Sequence, residues 1–172
     1  MDNQQIYSGS AIASAETGKQ AGKFAIVGVI NTVIDVAILN ILVFVGLTAT
    51  LVIFGQKFLI ANIISVAIAM VNSYILNKKW TFQSSGGNIY GEIAKFLGIT
   101  IIGMFVVHQI IFNVLYFNLQ FIGAFVISIV HLVRLDAIFS DNFVVLNFAK
   151  VIAIIGSLIW NFVGYKFIVF KK

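Results

Sequence analysis

Apolar residues run along this chain in long stretches, and the rare polar positions between them mark the elements. From residue 24 to 56 the only charged side chain is Asp35, and the part up to about Gly46 matches the ~20 residues that a helix needs to cross a bilayer. Residues 58–77, between Lys57 and Lys78, carry no charge. Residues 96–133 are also uncharged and hold a full helix to about Phe117 plus a shorter apolar piece, broken at Asn118, Leu119 and Gln120. The last run, 143–165, contains one charge, Lys150. The pattern predicts transmembrane helices at about 24–46, 57–78, 95–117 and 143–166, with an apolar segment at about 119–134. Residues 1–22, rich in Ser, Ala, Gly, Asn and Gln, read as a flexible cytoplasmic tail and not a signal peptide. Residues 23–172 then form a single transmembrane domain.

Basic residues decide how the apolar piece at 119–134 is counted, because Lys and Arg near helix ends stay cytoplasmic. With four crossings and a cytoplasmic N-terminus, Lys19, Lys23, Lys78, Lys79, Lys95, Lys166, Lys171 and Lys172 lie inside, and only Lys57, Arg134 and Lys150 lie outside or in the membrane. A fifth crossing would move Lys166, Lys171 and Lys172 outside and weaken the bias. The expected fold is therefore an all-α integral membrane protein of four helices, arranged as two tandem hairpins with both termini cytoplasmic. The extra segment is extracytoplasmic or interfacial, and its stripe of Gln120, Ala124, Ser128 and His131 suits an outer-leaflet helix or a partner contact equally. Proline is absent, so helices should be continuous; any break would use Gly or Asn, with Gly28, Gly98, Gly103, Gly156 and Gly164 as candidates.

Composition changes the picture mainly by exclusion. With 60% apolar residues, 10% charged residues and a mean hydropathy of +1.05, the chain lacks the polar surface of a soluble domain. It has no cysteine, which removes disulfides, thiolate metal sites and cysteine nucleophiles. Two histidines and six scattered acidic residues form no metal-ligand spacing. The net charge of +5 flanks apolar runs instead of forming a nucleic-acid patch. No phosphate-cradling glycine loop or paired carboxylates are present, and Asp136 and Asp141 have no aligned base, so the reading is a non-enzyme without metal or cofactor.

The two halves open and close alike. Lys23 and Phe24 open the first helix as Lys95 and Phe96 open the third; residues 73–82 close the second as residues 161–170 close the fourth, with Lys78 matching Lys166 and Phe82 matching Phe170. Within this frame Lys23-Phe24-Ala25-Ile26-Val27-Gly28, then Asn31, Thr32 and Asp35, and Asn77-Lys78-Lys79-Trp80-Thr81-Phe82 resemble the GtrA-like family of small four-helix membrane proteins over roughly 23–172. The resemblance implies translocation of a polyprenyl-phosphate-linked sugar, such as bactoprenyl-phosphate glucose, across the bacterial cytoplasmic membrane for cell-envelope polysaccharide modification. It implies no ATP use. The competing reading is a non-transporting accessory or assembly subunit of a membrane glycosyltransferase.

Candidate site residues follow from polarity inside the membrane. Asp35 lies 12 positions after Lys23, ~18 Å along the helix, where an ionisable group is costly and faces a bundle interior or cavity. Asn31 and Thr32 share its face with Gly28. Opposite faces would come from Asn62, Ser65, Asn72 and Ser73 on helix two, His108, Gln109 and Asn113 on helix three, and Lys150, Ser157 and Asn161 on helix four. His108 and Lys150 fall ~20 and ~24 Å from their cytoplasmic lysines, in the same layer as Asp35. Asn77, Lys78, Lys79, Trp80 and Lys166 stand at the cytoplasmic headgroup level, where lysines attract a lipid phosphate and aromatic rings stack on a sugar. Four helices enclose little volume, so the expected partners are the lipid-linked sugar, membrane lipid and a second copy of the chain.

Overall fold

A computed structural model describes residues 3–53, 55–85 and 87–171, with side chains described from Ser14 onward except at Ile53 and Gln56. Lys172, assigned to the cytoplasmic side on charge, lies outside the described residues. In chain order the elements are α1 (Asn3–Phe44), β1 (Thr50–Ile53), β2 (Gln56–Leu59), α2 (Ile60–Leu76), α3 (Ile89–Ile102), α4 (His108–Asn113), α5 (Gln120–Leu132) and α6 (Asp141–Gly164). Single π-helical turns follow α2 at Asn77–Thr81, join α3 to α4 at Gly103–Val107, follow α4 at Val114–Asn118 and close α6 at Tyr165–Val169. Four stretches are long and apolar enough to cross a membrane: Ser14–Phe44, Ile60–Thr81, Ile89–Asn118 and Asp141–Val169. The chain has an all-α integral membrane fold. At 13 residues, α5 is ~20 Å long and falls short of the ~30 Å hydrocarbon core.

Several expected boundaries move, each for a local reason. The segment expected as a flexible tail is helical from Asn3, since it contains no proline, includes four Ala and three Gln, and carries an i,i+4 hydrogen bond from Gln20 Nε2 to Glu16 Oε1 (3.3 Å). Helix two begins at Ile60 and not near 57 because Thr50–Ile53 pairs antiparallel with Gln56–Leu59, Thr50 opposite Leu59 and Ile53 opposite Gln56. This ribbon, unforeseen in the helix-only reading, turns through Gly55 at φ +76°, which glycine adopts without strain. Helix three starts at Ile89 because the Asn88 side chain accepts from Tyr90 N–H, and α6 starts at Asp141 because Ser140 Oγ accepts from Phe143 N–H.

The chain divides into two compact units, Met1–Gly86 and Gly87–Lys171. In the first, α1 packs on α2. In the second, α6 packs on α4 and on the π turn preceding it, and α5 leans on α6. The buried positions repeat in the register that the closing blocks define: Ala61 with Ala149, Ser65 with Ala153, Ala69 with Ser157, Asn77 with Tyr165, Thr81 with Val169, and Phe82 with Phe170. A small residue every fourth position lets helix backbones approach closely, the usual way of packing without a hydrophobic driving force inside lipid. Both units also end alike, Phe82 N–H bonding Asn77 C=O at 2.9 Å and Phe170 N–H bonding Tyr165 C=O at 2.8 Å. Of the candidate breaks, Gly103 opens one π turn and Gly164 immediately precedes another, while Gly28, Gly98 and Gly156 sit in continuous α-helix.

Candidate functional site

In the first unit the polar face of α1 is consumed by α2. Ser65 Oγ donates to Asp35 Oδ1 at 2.5 Å, and Asn72 Nδ2 donates to Asn31 Oδ1 at 2.7 Å. Thr32 turns back on its own helix, its hydroxyl donating to Gly28 C=O at 3.0 Å. The spacing that placed Asn31 and Asp35 on one face is therefore realised as two interhelical hydrogen bonds.

In the second unit the π turn Gly103–Val107 adds a residue to the helix and delivers His108 to an open recess of about 370 Å³, lined by Met104, His108, Ile154, Ser157, Leu158 and Asn161. The His108 ring lies parallel to Phe112, centroids 6.4 Å apart. Ser157 is buried, and Asn161 Oδ1 is buried with no hydrogen-bond partner among the described residues. Gly103 makes this possible, because a Cβ there would overlap Asn161 Oδ1 and come within 3.2 Å of Ser157 Oγ. The recess follows α6 from Asn161, ~8 Å along the axis from Lys166, to Ile154 at ~18 Å, which puts it inside the hydrocarbon region. Of the polar residues assigned to helices three and four, the structure brings His108, Ser157 and Asn161 together. Gln109 instead bonds Asn113 on its own helix (2.9 Å), and Lys150 is exposed one residue after buried Ala149.

The basic ends are arranged differently from the expected lysine–aromatic blocks. Lys78 Nζ lies 5.8 Å above the Tyr74 ring and 3.5 Å from its hydroxyl, Lys79 is exposed, and Lys166 Nζ sits 5.5 Å from the Phe167 ring and 6.0 Å from that of Phe162. Trp80 is engaged by Lys23, whose Nζ donates to the Trp80 carbonyl at 3.1 Å and stands 5.5 Å from its ring. Asn77 is buried, its Nδ2 donating to Ser73 C=O at 2.9 Å while its Oδ1 has no partner among the described residues.

Sequence reasoning missed Lys23 as a site residue, although the repeat contains the signal: Lys23 opens helix one at the end where Trp80 closes helix two. It also missed the Thr100–Tyr165 hydroxyl pair at 2.6 Å, the stacking of Phe96 on Tyr165 at 4.7 Å, and the Trp160 Nε1–H bond to Ile99 C=O at 3.1 Å.

On α5 the predicted stripe does not make the packed face. Gly123, outside that stripe, is buried against Val145, which a Cβ there would approach to 3.1 Å, while Ala124 and Ser128 are exposed. Asp141, read as lacking an aligned base, accepts from His131 Nε2 at 2.9 Å. That hydrogen bond, with the charges of Asp141 and Asp136, raises the His131 pKa against a smaller opposing effect of desolvation.

Residues 23–170 match the profile of the family described as GtrA/DPMS, transmembrane domain. Over 96 residues the chain is 38% identical to the uncharacterized membrane protein YngA of Bacillus subtilis (strain 168), a match covering 56% of this chain and 59% of that protein.

Proposed function

This chain belongs to the GtrA/DPMS transmembrane-domain family, and from that premise we propose that it translocates a polyprenyl-phosphate-linked sugar across the bacterial cytoplasmic membrane for envelope polysaccharide modification. The protein is a multi-pass membrane protein, and members of its family are generally non-catalytic. The observation that carries the proposal is the intramembrane recess holding His108, Ser157 and the unpartnered Asn161 Oδ1. A sugar moving through hydrocarbon must exchange its water hydrogen bonds for protein ones, since an unsatisfied polar group there is expensive. The recess offers an acceptor without a partner, a hydroxyl and an imidazole beside apolar walls, and its ~370 Å³ falls in the range of small-molecule sites. Its open side leaves a prenyl chain in lipid. A second copy covering that side is part of the proposal, as is a topology with both termini cytoplasmic.

The test is reconstitution of the purified chain in liposomes with polyprenyl-phosphate glucose, followed by access of an impermeant probe to the lipid. Asn161→Leu and His108→Leu are each expected to slow translocation about tenfold, the loss of one buried hydrogen bond. A wild-type protein that moves no lipid without a partner enzyme rejects the proposal. The accessory-subunit reading then takes its place, supported by the exposed apolar face of α5, where Phe121, Phe125 and Leu132 lie open.

A further inference from the structure

The cytoplasmic end of the first unit contains a second, smaller recess of about 160 Å³, lined by Glu16, Lys19, Gln20, Lys23, Thr81 and Gln83. It forms because α1 continues before Lys23 and lies along the π turn Asn77–Thr81 that ends helix two. Gln83, at φ +49°, turns the chain so that its side chain joins the lining. Two features of the lining are unexplained by packing. Thr81 is 2% exposed and its hydroxyl has no partner among the described residues, and Gln20 Oε1 is likewise buried and unpartnered.

The internal repeat shows that the fold does not require these groups. In the second unit Thr81 corresponds to Val169, also buried, a side chain of the same shape without a hydroxyl. Lys19 and Gln20 correspond to Gly91 and Glu92. A hairpin end of this design closes equally well with an apolar β-branched residue, so the Thr81 hydroxyl is a donor without an intramolecular purpose. Together with the two ammonium groups it supplies three donors, against acceptors at Gln20 Oε1 and the Glu16 carboxylate. Lys19 and Lys23 against Glu16 leave a net charge of about +1 on the lining.

We infer that this recess binds the phosphodiester head of a membrane lipid that carries a hydroxylated group. The singly charged phosphate lies between Lys19, Lys23 and the Thr81 hydroxyl, and a hydroxyl of the head group donates to Gln20 Oε1. Lys23 is already held in place by the Trp80 carbonyl. Two lipids share this chemistry, an anionic glycerophospholipid and a polyprenyl-phosphate sugar. Only the second identification rests on the translocation reading; there the recess is the cytoplasmic site from which the head group leaves for the membrane interior.

The experiment is native mass spectrometry of the full chain in mild detergent with phosphatidylglycerol, polyprenyl-phosphate glucose, or phosphatidylcholine as the zwitterionic reference. Wild type is expected to retain the first two over the third. Thr81→Val, which copies the other unit, and Lys19→Gln, at an exposed position, should each weaken retention about tenfold with unchanged helical content by circular dichroism. Loss for both anionic lipids shows recognition of the shared phosphodiester, and loss for one of them names the ligand. Equal retention of phosphatidylcholine by wild type, or wild-type retention of both anionic lipids by both variants, overturns the inference. Translocation assayed in parallel separates the two readings. Lipid that binds here but never crosses overturns translocation and leaves the site, whereas Thr81→Val that translocates like wild type at limiting lipid overturns the identification of the site with the translocated lipid and leaves translocation.

Discussion

Asp35 is the one ionisable residue of α1 between Phe24 and Phe44, and Ser65 on α2 donates to it. The second unit has the apolar residues Val107 and Ala153 at the corresponding positions of the sequence. Ser65→Ala, which leaves the carboxylate short of its donor, should therefore cost about 1–3 kcal/mol in a denaturation series in mixed micelles. Asp35→Val combined with Ser65→Ala should recover most of that loss, because removing both partners is far cheaper than removing one. Asp35→Asn keeps an acceptor for Ser65 and so separates charge from fold. If the charge serves translocation, that variant unfolds like wild type and transports at least about tenfold more slowly. At His131 the folded pKa is raised by Asp141, so the pair's stabilisation is complete below the ordinary value near 6.5 and fades as pH rises through the raised one. Thermal melting should show a loss on alkalinisation across that window, and His131→Gln should remove that component.

Among the elements, glycines report how closely helices approach. A Cβ at Gly164 would meet Ile99 Cγ2 at 2.5 Å, on the stiff, branched side of that residue, whereas one at Gly98 meets nothing within 4 Å. Gly164→Ala should destabilise by about 1–3 kcal/mol through overpacking, and Gly98→Ala should be neutral or stabilising by up to about 1 kcal/mol through helix propensity. Comparison of their unfolding midpoints checks both. Gly103→Ala has a functional consequence as well, since its Cβ would displace Asn161 Oδ1 from the recess and slow translocation.

For the whole molecule, four spans with both termini cytoplasmic, as proposed, predict that Ser85→Cys labels from the cytoplasm while Ala49→Cys and Ala137→Cys label from outside. External labelling of Ser85→Cys overturns the proposed orientation. The same particles test the second copy proposed to cover the recess, since their protein mass should be twice 18.9 kDa. An active particle of single-chain mass removes the dimer from the proposal.

What the sequence determined by itself is what depends on one residue at a time, summed along the chain. Hydropathy over some twenty positions is sufficient for the number of spans, and Lys78 and Lys166 mark where the second and fourth spans end, because the solvent imposes both without reference to a partner. The membrane fold and the doubled hairpin pattern were legible for that reason, as was the candidacy of Asp35, His108 and Asn161. The tertiary structure alone decided which polar residues meet. Asp35 with Ser65, His108 with Asn161 across Gly103, Lys23 with Trp80, and His131 with Asp141 each depend on the rotation and axial offset of two elements. Those offsets are set by the small residues at contacts and by the π turns, each of which adds a residue and re-aims every side chain beyond it, so no single-chain periodicity contains them.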